Sequence, residues 1–220
     1  MRIATRRRGN PTRRPSSGAT VPITVRPAGA DVTIANAIAR NTGPAPEAIA
    51  RAVTWGADEK VLLAFAAAGW LASRERGEPL RRAGNHALLV TVMASLLPHV
   101  LKTVFNQTRP DRMTVLGHIH GVPFSGKRKD AFPSGHALHM GALASAASVL
   151  PPGRRRAIQA LAVGLSLTRI AVLAHWTSDV VAGFAMGAAI ERLLRLWTGY
   201  PLETSKEGHH ADSRRHRGVR

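Results

Sequence analysis

Between Arg82 and Lys102 the chain carries no Asp, Glu, Lys or Arg, and it carries none again between Asp130 and Arg154. Each run is about as long as the helix that crosses the hydrocarbon core of a bilayer. Such runs are spent either in a membrane or in the core of a helical domain. Three further apolar runs, 61–73, 157–168 and 180–190, are shorter. They cross a bilayer only if their bounding charges sit at the interfaces or face a polar interior. The pattern predicts helices over about 59–74, 83–107, 135–150, 154–173 and 177–197. Arg74-Glu75-Arg76-Gly77 and Pro151-Pro152-Gly153 supply clear stops. Strand-like alternation is scarce and neither a repeat nor a heptad run is present, so the class is all-α. The reading is a multi-span membrane helical bundle of about five transmembrane helices, with a soluble helical domain as its rival.

Charge decides the orientation of such a bundle. Arg74, Arg76, Arg81 and Arg82 share one connection, Arg154 to Arg156 another, and Arg192 and Arg195 follow the last helix. With five spans these lie on one side, the cytoplasmic one by the excess of positive charge. The loops 108–133 and 174–176 then share the opposite face. The net charge of +18 is concentrated at the ends: residues 1–27 hold seven Arg and no acid, and a second basic cluster fills 203–220. Tails of this kind suit nucleic acid or an anionic membrane surface. Aromatic residues make up only 5% of the chain, so no specific nucleic acid is expected. No apolar segment follows the first arginines, so a secretory signal is not expected there. Residues 31–57 form two short amphipathic patterns split at Asn41-Thr42-Gly43-Pro44, with Ile34, Ile38, Ile49, Val53 and Trp55 on the apolar side. An interfacial hairpin or a pair of half-inserted helices fits them. The Arg-rich N-terminus falls outside unless this region crosses the bilayer or stays on the cytoplasmic face.

Both junctions on the face away from the arginine loops carry cations and histidines. Lys102 and Arg109 are seven apart, about two helical turns, and so project from nearly one helix face; Pro110 follows. Pro133-Ser134-Gly135-His136 opens an apolar run and reads as a capped helix start, whose free N–H groups suit an anion. Arg169 lies within an apolar segment, where an unpartnered charge is costly. His175 and Asp179 are four apart, which lets the carboxylate hold one imidazole nitrogen and leave the other free. Three cations, a helix N-terminus and two histidines match a tetrahedral oxyanion such as phosphate. No acidic cluster accompanies them to bind a metal. Without cysteine there is neither a disulfide framework nor a thiolate ligand or nucleophile.

Lys102-x6-Arg109-Pro110, Pro133-Ser134-Gly135-His136 and Arg169-x5-His175-x3-Asp179 together resemble the tripartite signature of the type 2 phosphatidic acid phosphatase superfamily. That superfamily also holds class A acid phosphatases and vanadium haloperoxidases. The resemblance covers about 31–198, and departs where Thr168 stands for the usual Ser before Arg169. It implies phosphoryl hydrolysis without metal or cofactor. His175 would attack phosphorus, Asp179 would orient it, and His136 would protonate the leaving oxygen and then activate water. Lys102, Arg109, Arg169, Ser134 and Gly135 would bind the phosphoryl oxygens.

The implied protein is an integral enzyme of the cell (inner) membrane. Its partners are the bilayer and a lipid phosphate or diphosphate, and its site faces the periplasm or exterior. Polyprenyl diphosphate and phosphatidic acid are both candidates, with the first favoured. The organisation is a disordered basic tail at 1–27, a membrane phosphatase domain at 28–200 and a basic tail at 201–220. A soluble acid phosphatase of the same superfamily, or a non-catalytic protein binding membrane or nucleic acid through its tails, would share much of this pattern. His139, one turn after His136, reads as a polar contact inside the helix. His118, His120 and Lys127-Arg128-Lys129 read as loop or substrate-rim groups.

Overall fold

The computed structural model describes residues 22–41, 43–112 and 129–201. Most of both predicted tails, with His118, His120, Lys127 and Arg128, lies outside the described residues.

Each predicted helix forms, and the local chemistry explains its limits. Two short helices come first, α1 (Gly29–Asn41) and α2 (Pro44–Val53), then a 3-10 turn at Thr54–Ala57. α3 (Glu59–Ala72) is capped by Asp58, whose carboxylate accepts from the N–H groups of Lys60 and Val61 at 2.9 and 3.3 Å. α4 (Glu78–Val104) starts five residues earlier than its charge pattern predicts, because Gly77 caps it and Pro79 occupies its first turn. α5 (Gly135–Ala146) begins at Ser134, which accepts from the Ala137 N–H at 3.4 Å. α6 (Pro152–Ala171) follows the Pro-Pro stop, and α7 (Thr177–Thr198) ends at Gly199 in the left-handed conformation, φ 63°.

α5 and α7 form the centre, brought together by glycine. A Cβ on Gly141 would lie 1.9 Å from the Phe184 carbonyl oxygen, and one on Gly187 would lie 1.9 Å from that of Leu138. α6 and α4 pack beside this pair, and α3 packs on α4. At the end away from the predicted site, fully buried Glu191 accepts from Ser145 at 2.5 Å and from Arg195 at 2.7 Å, and its Oε1 lies 3.1 Å from His86 Nε2. A buried carboxylate with this many partners joins α4, α5 and α7.

Two expectations change. Ile23–Thr24, inside the predicted basic tail, pairs in parallel with Phe105–Asn106 as β1 and β2. This ladder ends α4 at Val104 rather than 107. It also takes Arg109 off the helix, so a shared helix face is not what brings Lys102 and Arg109 together. Of the five bundle helices among the described residues, only α4 is long and apolar enough by itself to cross a membrane. α6 begins with Arg154 to Arg156 and α7 holds Glu191, Arg192 and Arg195, while α3 and α5 are 14 and 12 residues. No residue of α3 is buried, although its sequence EKVLLAFAAAGWLA is almost wholly apolar after the first turn.

α1 and α2 lie at the site end. Asp31 accepts from the Ser178 N–H at 2.9 Å and from its hydroxyl at 2.7 Å, tying α1 to the start of α7. Ala35 and Ala39 pack under Leu173 and Trp176. At 13 and 10 residues these helices reach about 20 and 15 Å, too short to cross singly a core of about 30 Å.

Candidate active site

The C-terminal ends of α4 and α6 and the N-terminal ends of α5 and α7 meet around one cavity of about 780 Å³. Lys102, Arg109, Gly135, His136, Arg169 and His175 all line it. Three segments that are distant in sequence therefore converge as their residue types predicted.

The α6–α7 connection sets the third segment. On an unbroken helix Arg169 and His175 would point about 120° apart. Leu173 breaks the helix with φ 53°, and the N–H groups of Ala174 and His175 both return to the Arg169 carbonyl, at 3.1 and 3.2 Å. The reversal carries His175 back to the cavity. Leu173 is fully buried and held in this conformation by its own packing and by the Asp111 N–H on its carbonyl at 3.0 Å.

His175 is buried, and its Nδ1 lies 2.6 Å from the Ala131 carbonyl oxygen. A carbonyl only accepts, so Nδ1 carries the hydrogen and Nε2 is the free base nitrogen. The hydrogen bond that the spacing predicted with Asp179 goes to Ala131 instead. Asp179 Oδ2 stands 4.0 Å from Nδ1 and accepts from the Trp176 N–H at 2.9 Å, closing the first turn of α7. Burial above all, then the charges of Arg169, Arg109 and Lys102, hold His175 well below the ordinary histidine range. The imidazole is neutral, as a nitrogen nucleophile must be.

The second segment enters through its backbone as well as its side chains. Ser134 donates its N–H to the Asp179 carbonyl at 3.2 Å and is fully buried. Its hydroxyl caps α5 and does not line the cavity, whereas Gly135 and His136 do. His139 is 3.4 Å from Ser95 Oγ inside the bundle, in agreement with a polar contact within the helices.

Asp130 was not among the predicted site residues, and it organises the first segment. Its carboxylate accepts from Arg109 Nε at 2.8 Å and lies 3.8 Å from Lys102 Nζ. Gln107 places it by backbone pairing: its N–H reaches the Lys129 carbonyl at 3.3 Å, and its carbonyl accepts from Ala131 at 3.1 Å. The same pairing aims the Ala131 carbonyl at His175. In the sequence Asp130 stands after Lys127-Arg128-Lys129 and reads as one more charge of a polar loop, so no signal marked it. Arg109 Nη1 and Arg169 Nε are buried donors with no protein partner among the described residues. Buried donors of this kind are suited to an oxyanion.

A mainly helical bundle thus brings a neutral histidine, a second histidine and three cations around one cavity, the kind of protein whose site suits an oxyanion. Residues 83–202 match the family model of the PAP2 superfamily, and the chain belongs to that family. It is similar to a lipid A 1-phosphatase of Rhizobium johnstonii, 40% identical over 106 residues, which are 48% of this chain and 43% of that protein. A lipid A 1-phosphatase of Rhizobium etli is 39% identical over 105 residues, 47% of this chain and 45% of that protein. The matched part thus spans less than half the length of these curated relatives. Two solved structures share the fold. A transmembrane PAP2-type phosphatidylglycerolphosphate phosphatase from Bacillus subtilis has a TM-score of 0.57 at 22% identity, over 77% of this chain and 85% of that one. LpxE of Aquifex aeolicus has a TM-score of 0.62 at 17% identity, over 78% and 98%.

Proposed function

We propose that this protein is an integral membrane phosphatase that releases phosphate from the head group of a lipid. The observation that carries the reading is His175, neutral and with Nε2 free, in a cavity shared with Lys102, Arg109, Arg169 and His136. In the first step the Nε2 lone pair attacks phosphorus and the phosphorus–oxygen bond to the lipid breaks. The seated phosphate offsets the charge of the three cations beside His136, which then holds a proton and gives it to the departing oxygen. In the second step water attacks the phosphohistidine, His136 takes a proton from that water, and the phosphorus–nitrogen bond breaks to free phosphate and neutral His175. Lys102, Arg109 and Arg169 supply positive charge to the oxygens as they gain negative charge. Asp179 stands 4.0 Å from Nδ1, and the positive charge that His175 acquires in the intermediate favours its ionised form.

The membrane setting rests on the charge-free length of α4, on the unburied apolar α3 and on the fold shared with a transmembrane phosphatase. In this arrangement the arginine-bearing connections 74–82 and 154–156 lie at the cytoplasmic end and the cavity faces the periplasm or exterior. The curated relatives make lipid A-type phosphate the first substrate to test, beside polyprenyl diphosphate and phosphatidic acid.

Detergent-purified protein is given each lipid in turn, with His175→Ala as blank, and released phosphate is counted. Wild type is expected to turn over at least one lipid, and His175→Ala to lose at least a thousandfold in rate while keeping its melting temperature. Equal release by the two proteins would remove His175 from the chemistry. Absence of release from every lipid would overturn the phosphatase reading.

A further inference from the structure

We propose that Thr54 is a positioning residue for the anion site, acting through Arg169. This inference rests on the phosphatase reading for its chemistry and on geometry alone for its binding consequence. The three cations of the cavity are not held alike. Lys102 and Arg109 share the carboxylate of Asp130, whereas Arg169 makes no ion pair among the described residues. Its guanidinium, buried with 5% of the residue exposed, has one protein acceptor among them: Thr54 Oγ1, at 3.2 Å from Nη1.

Thr54 is itself buried, in the 3-10 turn that follows α2. Its hydroxyl is 3.1 Å from that of Thr168, whose own hydrogen goes to the Leu165 carbonyl at 2.6 Å. One hydroxyl has one hydrogen. With that of Thr168 taken by Leu165, the hydrogen of Thr54 completes the contact between the hydroxyls and its lone pairs face Arg169. The guanidinium is thereby gripped at Nη1, and Nε has no protein partner among the described residues.

An arginine side chain gives up much rotamer freedom when it is fixed, and an oxyanion is bound best by a fork already in place. Thr54 supplies that fixing from outside the part of the chain that matches the family, which begins at residue 83. Its segment also walls the cavity through Ala52, Trp55 and Asp58. The site thus draws a determinant from residues 44–58 as well as from the three motif segments.

The test uses the full chain in detergent and four variants: Thr54→Val, Thr54→Ser, Arg169→Gln and the double variant Thr54→Val/Arg169→Gln. Inorganic phosphate and vanadate are the probes, read by the melting-temperature shift they cause; KM and kcat on the preferred lipid phosphate are read in parallel. Valine keeps the shape of threonine and removes the acceptor. Thr54→Val is expected to weaken phosphate binding and raise KM about tenfold, equivalent to about 1.4 kcal/mol, with kcat within threefold. Thr54→Ser is expected to restore both. In the Arg169→Gln background the valine should add less than twofold, because its effect passes through Arg169.

Wild-type binding by Thr54→Val, equal impairment of the serine and valine variants, or full additivity in the double variant would each overturn the proposal. If the valine variant does not fold, Thr54→Ala takes its place in the same cycle under the same criteria. Phosphate binding without turnover of any lipid would sink the phosphatase reading and leave the Thr54 comparison intact.

Discussion

The neutral state of His175 has a stability consequence whose sign follows from its surroundings. Unfolded, the residue titrates at about 6.5; folded, burial and the cations of Arg169, Arg109 and Lys102 keep it from taking the proton until well below that. As pH falls through 6.5 the unfolded chain binds a proton that the folded chain refuses. Stability fully present above that pH is therefore lost below it, at up to about 1.4 kcal/mol per pH unit for this group. In phosphate-free detergent, His175→Asn is expected to show a shallower fall in melting temperature between pH 6.5 and 5 than wild type. Parallel slopes would place the acid sensitivity elsewhere. The residues legible in the sequence were those that together make a pattern of cations and histidines, such as Lys102, Arg169 and His175; the hydrogen bond expected between His175 and Asp179 went to the Ala131 carbonyl instead. Asp130 and Thr54 were not legible, because each acts through a partner 21 or 115 residues away. A carboxylate or a hydroxyl in a polar stretch carries no mark of what will fold against it. The Ala131 carbonyl is a harder case, since every residue has one.

Elements were legible where composition breaks sharply. Gly and Pro at 77–79 and 151–153 stop and start helices wherever they fall, and the five long segments formed close to their predicted limits. The β1–β2 ladder was hidden because it is two residues long and joins segments about 80 residues apart. The close approach of α5 and α7 was equally hidden, since a glycine in an apolar run looks like any small residue. That approach can be tested directly. A methyl on Gly187 would meet the Leu138 carbonyl at 1.9 Å, whereas one on Gly164 would meet nothing within 4 Å. Gly187→Ala is expected to destabilise the protein by about 1–3 kcal/mol, and Gly164→Ala to be neutral or mildly stabilising. Melting temperatures of the two variants beside wild type decide it. Equal values would mean that the helices separate at no cost. Because His136 lies in the first turn of α5 and Asp179 in that of α7, activity should fall with stability in the first variant.

The molecule as a whole has charge at one end and chemistry at the other, with an apolar belt between. Phe65, Leu161 and Leu193 are each more than half exposed on that belt. The native chain lacks cysteine, so single cysteines report cleanly. In sealed vesicles of known orientation, a membrane-impermeant maleimide is expected to label Glu75→Cys from the cytoplasmic side and Arg40→Cys, on the polar side of α1, from the other. Leu161→Cys should resist it from both sides. Labelling of positions 40 and 75 from the same side would contradict the proposed topology.

The long uncharged interior of α4 also measures depth. Arg82 and Lys102 are twenty positions apart on one continuous helix, about 30 Å, and the hydrocarbon layer is about as thick. On the proposed topology, with Arg82 at one boundary, Lys102 stands at the other, level with the phosphates of the outer leaflet. A lipid substrate of the proposed kind would then offer its phosphate to His175 by sliding sideways, with its tails still dissolved in the bilayer. A phosphatase so placed would not need to lift its substrate at all.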